Sequence, residues 1–414
     1  MKSNFISLLL LSLMLFQLDV FAQYTGSGTV SQGIGSITNA NIYSCPNGRI
    51  PNVGIVTATD ASVWTMPAEV NYLNANFPFA SNLYNACVGA NYTNANAALA
   101  ALNGNDIITI DSTGELITAY IFADNYFELY INGVPVGKDN VPYTEFNSNI
   151  VRFRVQKPFK IAMLLVDWEE YLGIGCEVNN TIPYHMGDGG IVAVFKDTSN
   201  NTVAITNQNW KAQSFYTAPI TDLNCPTENG NQRLSNNCST ADANDGTNYY
   251  ALHWSKPLDW MDSNFNDAVF PQASIYSNQT VGVNNKPAYT NFTNIFDDPV
   301  QDAQFIWSTN LILDNEVVVT YTVPAPTSLS HVSPSKNKCH VYPNPANNSI
   351  YIKFESAIAQ QEVIQIILEN VIGEQVFIAT HFVDQISLDG LPNGIYTLKI
   401  ISRENQITEK IIKQ

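Results

Sequence analysis

The chain has 414 residues, of which 45% are hydrophobic, so its length and composition allow a packed core and roughly two or three domains. Acidic residues outnumber basic residues 36 to 19, which gives a formal charge of −17, and charged residues make up only 13% of the chain. Nucleic acids and anionic membrane surfaces attract proteins with basic patches, so this composition argues against nucleic acid and membrane surfaces as partners.

The first 22 residues have the features of a secretory signal peptide. Lys2 precedes an apolar run from Phe5 to Phe16, and Val20-Phe21-Ala22 precedes the expected cleavage site. A membrane anchor is the alternative, but the apolar run is shorter than the roughly 20 residues needed to cross a bilayer. We therefore expect Sec-dependent export, with Gln23 as the mature N-terminus and no transmembrane segment.

Residues 23–104 are predicted to form a loop-rich N-terminal extension with one short helix. Gly, Asn, Ser and Thr dominate residues 23–60, which predicts loops and short strands there. The Ala and Leu residues of the segment 94–102 favour a helix. Thr93 or Asn94 is the candidate N-cap, and Gly104 is the candidate C-terminal stop.

Residues 105–323 are predicted to form an antiparallel β-sandwich. Short runs of β-branched and aromatic residues alternate there with polar loops. Asn132-Gly133 lies between two such runs and predicts a tight hairpin, because these residues accept the positive φ angles of that turn. The predicted strands are Ile107–Ile110, Leu116–Phe122, Tyr126–Ile131, Val151–Val155, Phe159–Val166, Gly190–Phe195, Thr202–Thr206, Tyr249–Trp254, Phe305–Leu313 and Val317–Val323.

The segment of about residues 105–323 resembles galactose-binding-like jelly rolls, which are modules appended to α-rhamnosidases and other glycoside hydrolases. The clearest matches are Ala123-Asp124-Asn125-Tyr126 and Phe265-Asn266-Asp267, with the segment "IVAVFKDTSNNTVAITNQNWKAQ" between them. Phe270 stands where the family usually has Trp. The resemblance implies a jelly-roll-like β-sandwich that often binds sugar or calcium and often only packs against a catalytic domain. No such catalytic domain is recognisable in the sequence.

The six cysteines are compatible with export, because disulfides persist outside the cytosol. Two of them bracket a loop rich in Pro, Asn and Gly, and two others lie in the N-terminal extension. Cys176 and Cys339 have no evident partner, and no C-x-x-C spacing indicates a zinc site. The predicted bridges are Cys225–Cys238 and Cys45–Cys87.

The sequence between the two ends contains no recognisable catalytic motif. No G-x-S-x-G turn is present, and "GDGG" after His185 lacks the Lys and the helix of a phosphate-binding loop. His253 lies in an apolar strand and is expected to be buried. His185 lies in a glycine-rich loop and is a candidate functional residue.

An acidic and aromatic cluster follows the predicted strand Phe159–Val166. It begins with Asp167-Trp168-Glu169-Glu170-Tyr171 and continues with Glu177 and Asp188. Paired carboxylates are the acid and base of glycoside hydrolases, whereas several oxygen ligands beside aromatic rings hold calcium and a sugar. A solvated loop with Trp168 packed into the core is the third alternative.

We predict that the segment 167–188 recognises a ligand, most simply a carbohydrate, and that the protein is not an enzyme. Calcium is the candidate cofactor. A secreted glycoside hydrolase that uses a carboxylate pair and a structural or adhesive surface protein are the alternatives. The candidate ligand-binding residues are Asp167, Trp168, Glu169, Tyr184, His185 and Asp188.

Residues 324–337 are predicted to be a linker rich in Pro and Ser, followed by a small β-sandwich at residues 338–414. This last segment closely resembles the C-terminal sorting domain of the type IX secretion system of Bacteroidetes. The resemblance rests on "YPNP" at Tyr342, on Gly373-Glu374 and on "LPNGIYTLKI" from Leu391. It implies recognition by the outer-membrane secretion machinery and delivery to the cell surface or the exterior.

Overall fold

The computed structural model describes residues 24–242, 246–325, 339–354, 363–402 and 406–414. The predicted signal peptide and nearly all of the predicted linker lie outside these residues. The chain divides into two compact units, with the boundary after Ala325.

The first unit is built mainly of two large, mostly antiparallel sheets, as the predicted all-β fold requires. The described strands of one sheet lie in the spatial order Thr29–Gln32, Tyr250–His253, Lys211–Ile220, Asp314–Val323, Phe159–Val166, Tyr126–Ile131 and Val134–Lys138. The described strands of the other sheet are Ser274–Tyr276, Phe305–Trp307, Gly190–Lys196, Glu115–Asp124, Asn147–Val155, Ser81–Asn85 and Ala90–Asn91, with Thr202–Ile205 and Ile107–Thr109 paired at its sides. We refer to them as the seven-stranded and the nine-stranded sheet.

Smaller elements cover the large sheets. The remaining described strands of this unit are Ser36–Asn39, Val53–Thr57 and Val63–Met66 in one small sheet, and the hairpins Cys176–Asn179 with Ile182–Met186 and Thr227–Asn229 with Gln232–Leu234. The described α-helices are Ala95–Ala100, Pro287–Thr290 and Thr293–Phe296. Short 3₁₀ helices are found at Ala86–Val88, Gly104–Asp106, Gly246–Asn248, Asp267–Val269 and Val283–Asn285.

The strand Phe159–Val166 is buried on both faces. Its residues Ile161, Met163 and Leu165 belong to the hydrophobic cluster that also contains Phe122 of the nine-stranded sheet. The alternate residues belong to a second cluster on the opposite face of the strand, together with residues of the N-terminal segment. Burial on both faces explains why this strand is almost continuously apolar in sequence. The residues of the second face are Ala162, Leu164 and Val166.

The N-terminal segment differs from the predicted extension, because it contributes strands to both large sheets. Thr29–Gln32 pairs with Tyr250–His253, and Ser81–Asn85 pairs with Asn147–Val155. Tyr72 packs into the second hydrophobic cluster. The apolar pattern of these strands is weak in sequence because they have only four or five residues. Pairing with neighbouring strands stabilises them more than their own β propensity does.

The predicted helix and the predicted hairpin are both confirmed. The helix spans Ala95–Ala100, and the Asn94 side chain accepts a hydrogen bond from the backbone N–H of Ala97 at 3.0 Å. Asn132 and Gly133 have φ angles of 51° and 81° and connect two adjacent strands of the seven-stranded sheet. These features could be predicted because local residues alone determine them.

Both predicted disulfides are confirmed, and they close loops of different length. Cys45 pairs with Cys87 across 42 residues of sequence, and Cys225 pairs with Cys238 across 13 residues. The remaining cysteines are free thiols, of which Cys176 is buried.

Removing the disulfide that closes the longer loop is expected to cost more stability than removing the disulfide that closes the shorter loop. The entropy that a cross-link removes from the unfolded chain grows with the logarithm of loop length, so the Cys45→Ala/Cys87→Ala variant should lose about 1 kcal/mol more than the Cys225→Ala/Cys238→Ala variant. Urea unfolding of both double variants measures the difference. An equal or reversed loss would contradict this explanation.

The second unit contains two small antiparallel sheets around one hydrophobic core, as predicted for the C-terminal segment. Asn344 of the "YPNP" sequence connects the start of this unit to its last strand. Its Nδ2 donates to the Lys410 carbonyl at 2.6 Å, and its Oδ1 accepts from the Ile412 N–H at 2.9 Å. The described strands are Cys339–Tyr342, Ser349–Phe354 and Gln385–Ser387 in one sheet, and Gln375–Ala379, Val363–Asn370, Gly394–Ser402 and Gln406–Lys413 in the other.

No helix in the described part of the chain has the length and apolar character needed to span a membrane.

Candidate functional site

Three acidic residues that are distant in sequence meet where the chain connects the two large sheets. Asp124 ends a strand of the nine-stranded sheet, and Asn125 leads directly into the strand Tyr126–Ile131 of the seven-stranded sheet. Asp167 directly follows another strand of the seven-stranded sheet, and Asp188 lies just before a strand of the nine-stranded sheet. All three carboxyl groups line one cavity.

We call this cavity the acidic cavity; its volume is about 280 Å³. Carboxyl groups, two cationic side chains, amide groups and the Phe146 ring line its wall. His185, predicted from sequence, also lines it. The charged residues of the wall are Arg49, Asp124, Asp167, Glu177, Asp188 and Lys286.

Two of these carboxyl groups have no partner in the part of the chain that the structure describes. Asp167 is only 5% exposed. Among the described residues, the side chains of Asp167 and Asp188 have neither a hydrogen-bond partner nor an ion pair. Asp124 differs, because its Oδ1 accepts a hydrogen bond from the Asn125 amide at 2.9 Å. Buried polar groups in proteins are normally paired, so these unpaired carboxyl groups make the acidic cavity a candidate ligand site.

Burial and mutual repulsion shift the ionisation of the cavity carboxyls. Burial raises the pKa of Asp124, and the charges of Asp188 and Asp167 raise it further. Burial also raises the pKa of Asp167, followed by the repulsion from Glu177. For Asp188, burial and then the Glu177 charge raise the pKa to about 6, against the opposing effect of nearby positive charges. Each of these shifts favours the protonated form of the carboxyl group, which can donate a hydrogen bond.

Arg49 fixes one wall of the cavity. Its Nη1 lies 3.2 Å from Glu170 Oε2, and its Nη2 lies 3.2 Å from Glu177 Oε1. The Tyr143 hydroxyl donates to the other Glu177 oxygen at 3.1 Å. Burial raises the pKa of Glu177, while the Arg49 charge and the Tyr143 hydrogen bond lower it. The Glu177 carboxylate is therefore held by two side chains and has less freedom to bind a ligand than Asp167 has.

Close packing explains the glycines around Asp188. A Cβ atom at Gly187 would lie 2.7 Å from Asp167 Oδ2, and a Cβ atom at Gly189 would lie 2.4 Å from the Trp307 ring. Neither contact is sterically acceptable. The glycines therefore allow the segment that carries Asp188 to approach Asp167 closely.

Trp168 lies in the hydrophobic core and not at the cavity. It is 1% exposed, and its indole Nε1 donates to the Asn52 carbonyl at 3.1 Å. Its ring meets the Tyr126 ring edge to face at 5.7 Å. Its backbone N–H donates to Asn125 Oδ1 at 2.6 Å. The ring has no face available for stacking on a sugar, so its role here is to pack the core beside the cavity.

Glu169 is also buried, but its carboxylate is fully used inside the protein. It accepts hydrogen bonds from the backbone N–H groups of Gly173 at 2.9 Å, of Ile174 at 3.2 Å and of Gly175. The Tyr216 hydroxyl donates to it at 3.1 Å. Burial raises the pKa of Glu169 to about 7, although these hydrogen bonds lower it. Glu169 therefore holds the turn 173–175 in place.

The two remaining predicted residues have different surroundings. The Tyr184 ring packs against Tyr171 at 4.8 Å and against Tyr249 at 6.3 Å, in a small cluster that does not line the cavity. His185 lines the cavity, and its Nδ1 lies 2.9 Å from Asp242 Oδ1. The structure thus brings together Asp167, His185 and Asp188, but not the other predicted residues.

The predicted calcium cofactor has no ligand set in the described residues. No group of three or more His, Cys, Asp and Glu side chains there is arranged to hold a metal ion. Calcium requires about six to eight oxygen ligands, and the cavity carboxyls do not converge in that way.

Sequence reasoning did not identify several polar residues of the cavity as site residues, among them Asp124, Asn125, Arg49 and Lys286. The pair Asp124-Asn125 was noticed only as part of a fold motif. A polar pair between two strongly apolar strands is a signal that could have identified it, because such a position needs hydrogen-bond partners. Arg49 and Lys286 come from separate loops and carry no local signal.

Comparison with known proteins identifies the second unit. No curated protein matches the chain. Among solved structures, the chain is similar to Faecalibacterium prausnitzii β-glucuronidase, with 8% identity and a TM-score of 0.15, over 94% of this chain and 45% of that enzyme. It spans less than half of the enzyme's length, and a likeness at this TM-score carries no functional argument. Residues 340–414 match the family model of the secretion system C-terminal sorting domain, so type IX secretion delivers this protein to the cell surface or the exterior.

Proposed function

We propose that this exported protein is a non-catalytic receptor for carbohydrate and that the acidic cavity is its binding site. The observation that carries the proposal is the pair Asp167 and Asp188, whose carboxyl groups face the cavity without a partner among the described residues. Asp167 is buried and Asp188 is half-buried, and a carboxyl group withdrawn from water without a hydrogen-bond partner is destabilising. A ligand that supplies hydrogen-bond donors offsets this cost.

The chemistry of the wall matches that of sugar hydroxyls, which donate and accept hydrogen bonds at once. Carboxyl and amide oxygens accept, and Arg49 and Lys286 donate. The Lys286 ammonium lies over the Phe146 ring at 4.4 Å, which places an apolar surface beside a donor. A few convergent polar groups around a small cavity are typical of small-molecule sites. Export to the surface or the exterior brings this cavity into contact with extracellular glycans.

The test is a glycan array on the purified protein and on the variants Asp188→Asn and Asp222→Asn. Asp222 lies in an exposed loop away from the cavity and is the matched control. We expect Asp188→Asn to weaken binding by about 10- to 100-fold, because a hydrogen bond to a charged group contributes roughly 1.5 to 3 kcal/mol. Asp222→Asn should bind as the wild type does.

Each array is run with calcium and again with a chelator, and we expect the same binding in both. Loss of binding with the chelator would show that binding requires calcium and would support calcium as the cofactor. Equal binding by wild type and Asp188→Asn would contradict the assignment of the cavity. Absence of binding to every glycan on the array would contradict carbohydrate recognition and favour a structural or adhesive surface protein.

A glycoside hydrolase is the second candidate, and one observation favours it. Burial raises the pKa of Asp188 to about 6 and also raises the pKa of Asp124, which lines the same cavity, and a carboxyl group with a raised pKa can act as a general acid. This candidate predicts release of reducing sugar from a bound glycan, with a bell-shaped pH profile that Asp188→Asn abolishes. Binding without release excludes it for that glycan.

A further inference from the structure

A second cavity, which we call the tryptophan groove, shares no lining residue with the acidic cavity. Its volume is about 360 Å³. It lies next to the strand Val63–Met66 and the segment that follows Tyr250–His253. Three indole rings and two carboxyl groups define it: Trp64, Trp254, Trp260, Glu69 and Glu316.

The ring of Trp64 is held rigidly at the groove. One face stacks on the His253 imidazole, with 5.3 Å between centroids and 15° between planes. The other face of that imidazole stacks on Tyr216 at 5.2 Å. The Trp64 indole N–H donates to Ser62 Oγ at 2.9 Å. Although it is fixed in this way, Trp64 remains partly exposed, whereas Trp254 and Trp260 are 6% and 4% exposed.

The polar groups of the groove are only partly paired. Lys256 forms an ion pair with Glu316. Burial raises the pKa of Glu316, the Lys256 charge lowers it and the Glu69 charge raises it; Glu69 and Glu316 line the same groove. Glu69 is exposed, and its carboxylate has no partner among the described residues.

His253 supplies an independent indication of a ligand. It lines the groove, although it is only 1% exposed. Its Nε2 is 2.7 Å from Ser31 Oγ, whereas its buried Nδ1 has no hydrogen-bond partner in the described part of the chain. A buried ring nitrogen without a partner is unusual. Nδ1 is therefore a polar atom beside the groove whose hydrogen-bonding capacity the described residues leave unused.

We propose that the tryptophan groove is a second binding site, separate from the acidic cavity, for a neutral pyranose ring. The apolar face of such a sugar stacks on the Trp64 indole, as aromatic rings allow. Its hydroxyls hydrogen-bond to Glu69 and to the Glu316–Lys256 pair. A cationic ligand fits less well, because Lys256 already places an ammonium group beside Glu316.

Fluorine NMR of the full chain labelled with 5-fluorotryptophan tests this site directly. The six Trp resonances are assigned with single Trp→Phe variants, and the probes are the methyl glycosides of glucose, galactose, mannose and N-acetylglucosamine. We expect at least one glycoside to shift the Trp64 resonance in a saturable manner. The resonance of Trp210, which is buried in the core between the sheets, should not move.

Variants then identify the contacts. Glu69 is exposed, and Glu69→Gln should lower the affinity for the glycoside by about tenfold, because a hydrogen bond to a charged group is lost. Asp222→Asn should leave this affinity unchanged. A Trp64 resonance that none of the four glycosides shifts would overturn the proposal, as would equal affinity in wild type and Glu69→Gln. Because the readout is the groove itself, this test can fail while the acidic cavity still binds glycan.

Discussion

Replacing Glu169 with Ala is expected to lower the free energy of unfolding by roughly 3 to 5 kcal/mol, since the loss leaves buried donors without an acceptor. The carboxylate is 2% exposed and accepts from three consecutive backbone N–H groups and from the Tyr216 hydroxyl. Alanine supplies no acceptor, and the turn 173–175 is too buried for water to replace it. Urea unfolding monitored by Trp fluorescence measures the effect.

Glu170→Ala is the matched control, one residue further along the chain. The Glu170 carboxylate accepts from the Val178 N–H at 2.6 Å and pairs with Arg49, but its side chain is 28% exposed. Water can replace the lost acceptor there, so we expect a loss of about 1 kcal/mol or less. If Glu169→Ala loses no more stability than Glu170→Ala, the assignment of a structural role to Glu169 is wrong. A role of Glu169 in ligand binding would then have to be tested.

Raising the pH from 5 to 8 is expected to destabilise the first unit. Burial raises the pKa of Glu169 and of Asp139 to about 7, and the pKa of Asp188 and Asp314 to about 6. The unfolded chain releases these protons near pH 4, whereas the folded chain keeps them up to pH 6 or 7. Between these values, each such group lowers stability by about 1.4 kcal/mol per pH unit.

The titration of His253 changes stability in the opposite direction, but its effect is smaller than the sum of the four carboxyl effects. Burial lowers its pKa to about 3, so the unfolded chain takes up a proton below about pH 6.5 that the folded chain does not. This single group favours higher pH, whereas the four carboxyls favour lower pH. The net expectation is a Tm lower at pH 8 than at pH 5 by on the order of 10 °C.

Calorimetry of the full chain at pH 5, 6, 7 and 8 measures this trend. The Glu169→Gln variant is the control, because its side chain does not titrate and one contribution to the slope is lost. Its stability should fall less steeply with pH than that of wild type. A Tm at pH 8 equal to or above the value at pH 5 would contradict the account.

The strands with strong apolar patterns could be predicted from the sequence to the residue. Tyr126–Ile131 and Phe159–Val166 have the predicted bounds. The predicted strand Phe305–Leu313 ends at Trp307 instead, because the Asn310 side chain accepts hydrogen bonds from the N–H groups of Ile312 and Leu313 at 3.0 and 3.2 Å and bends the chain into a turn. Side-chain hydrogen bonds of this kind compete with strand pairing, and the apolar pattern does not record them.

The candidate site could be predicted only in part, for a similar reason. Asp167 and Asp188 were found because they flank buried strands in one stretch of sequence. Packing of Trp168 into the core was only one of three alternatives, because the residue that accepts its backbone N–H, Asn125, comes from another strand connection. Arg49 reaches the cavity through a backbone hydrogen bond to Thr144 at 2.6 Å. Such long-range contacts exist only after the sheets have paired.

The most direct test of the central claim is a crystal structure of the protein with a glycan that the array identifies. The account predicts that the sugar occupies the acidic cavity, with hydroxyl oxygens within hydrogen-bonding distance of Asp167 and Asp188. A glycan bound only at another surface, with the acidic cavity left without sugar, would contradict it.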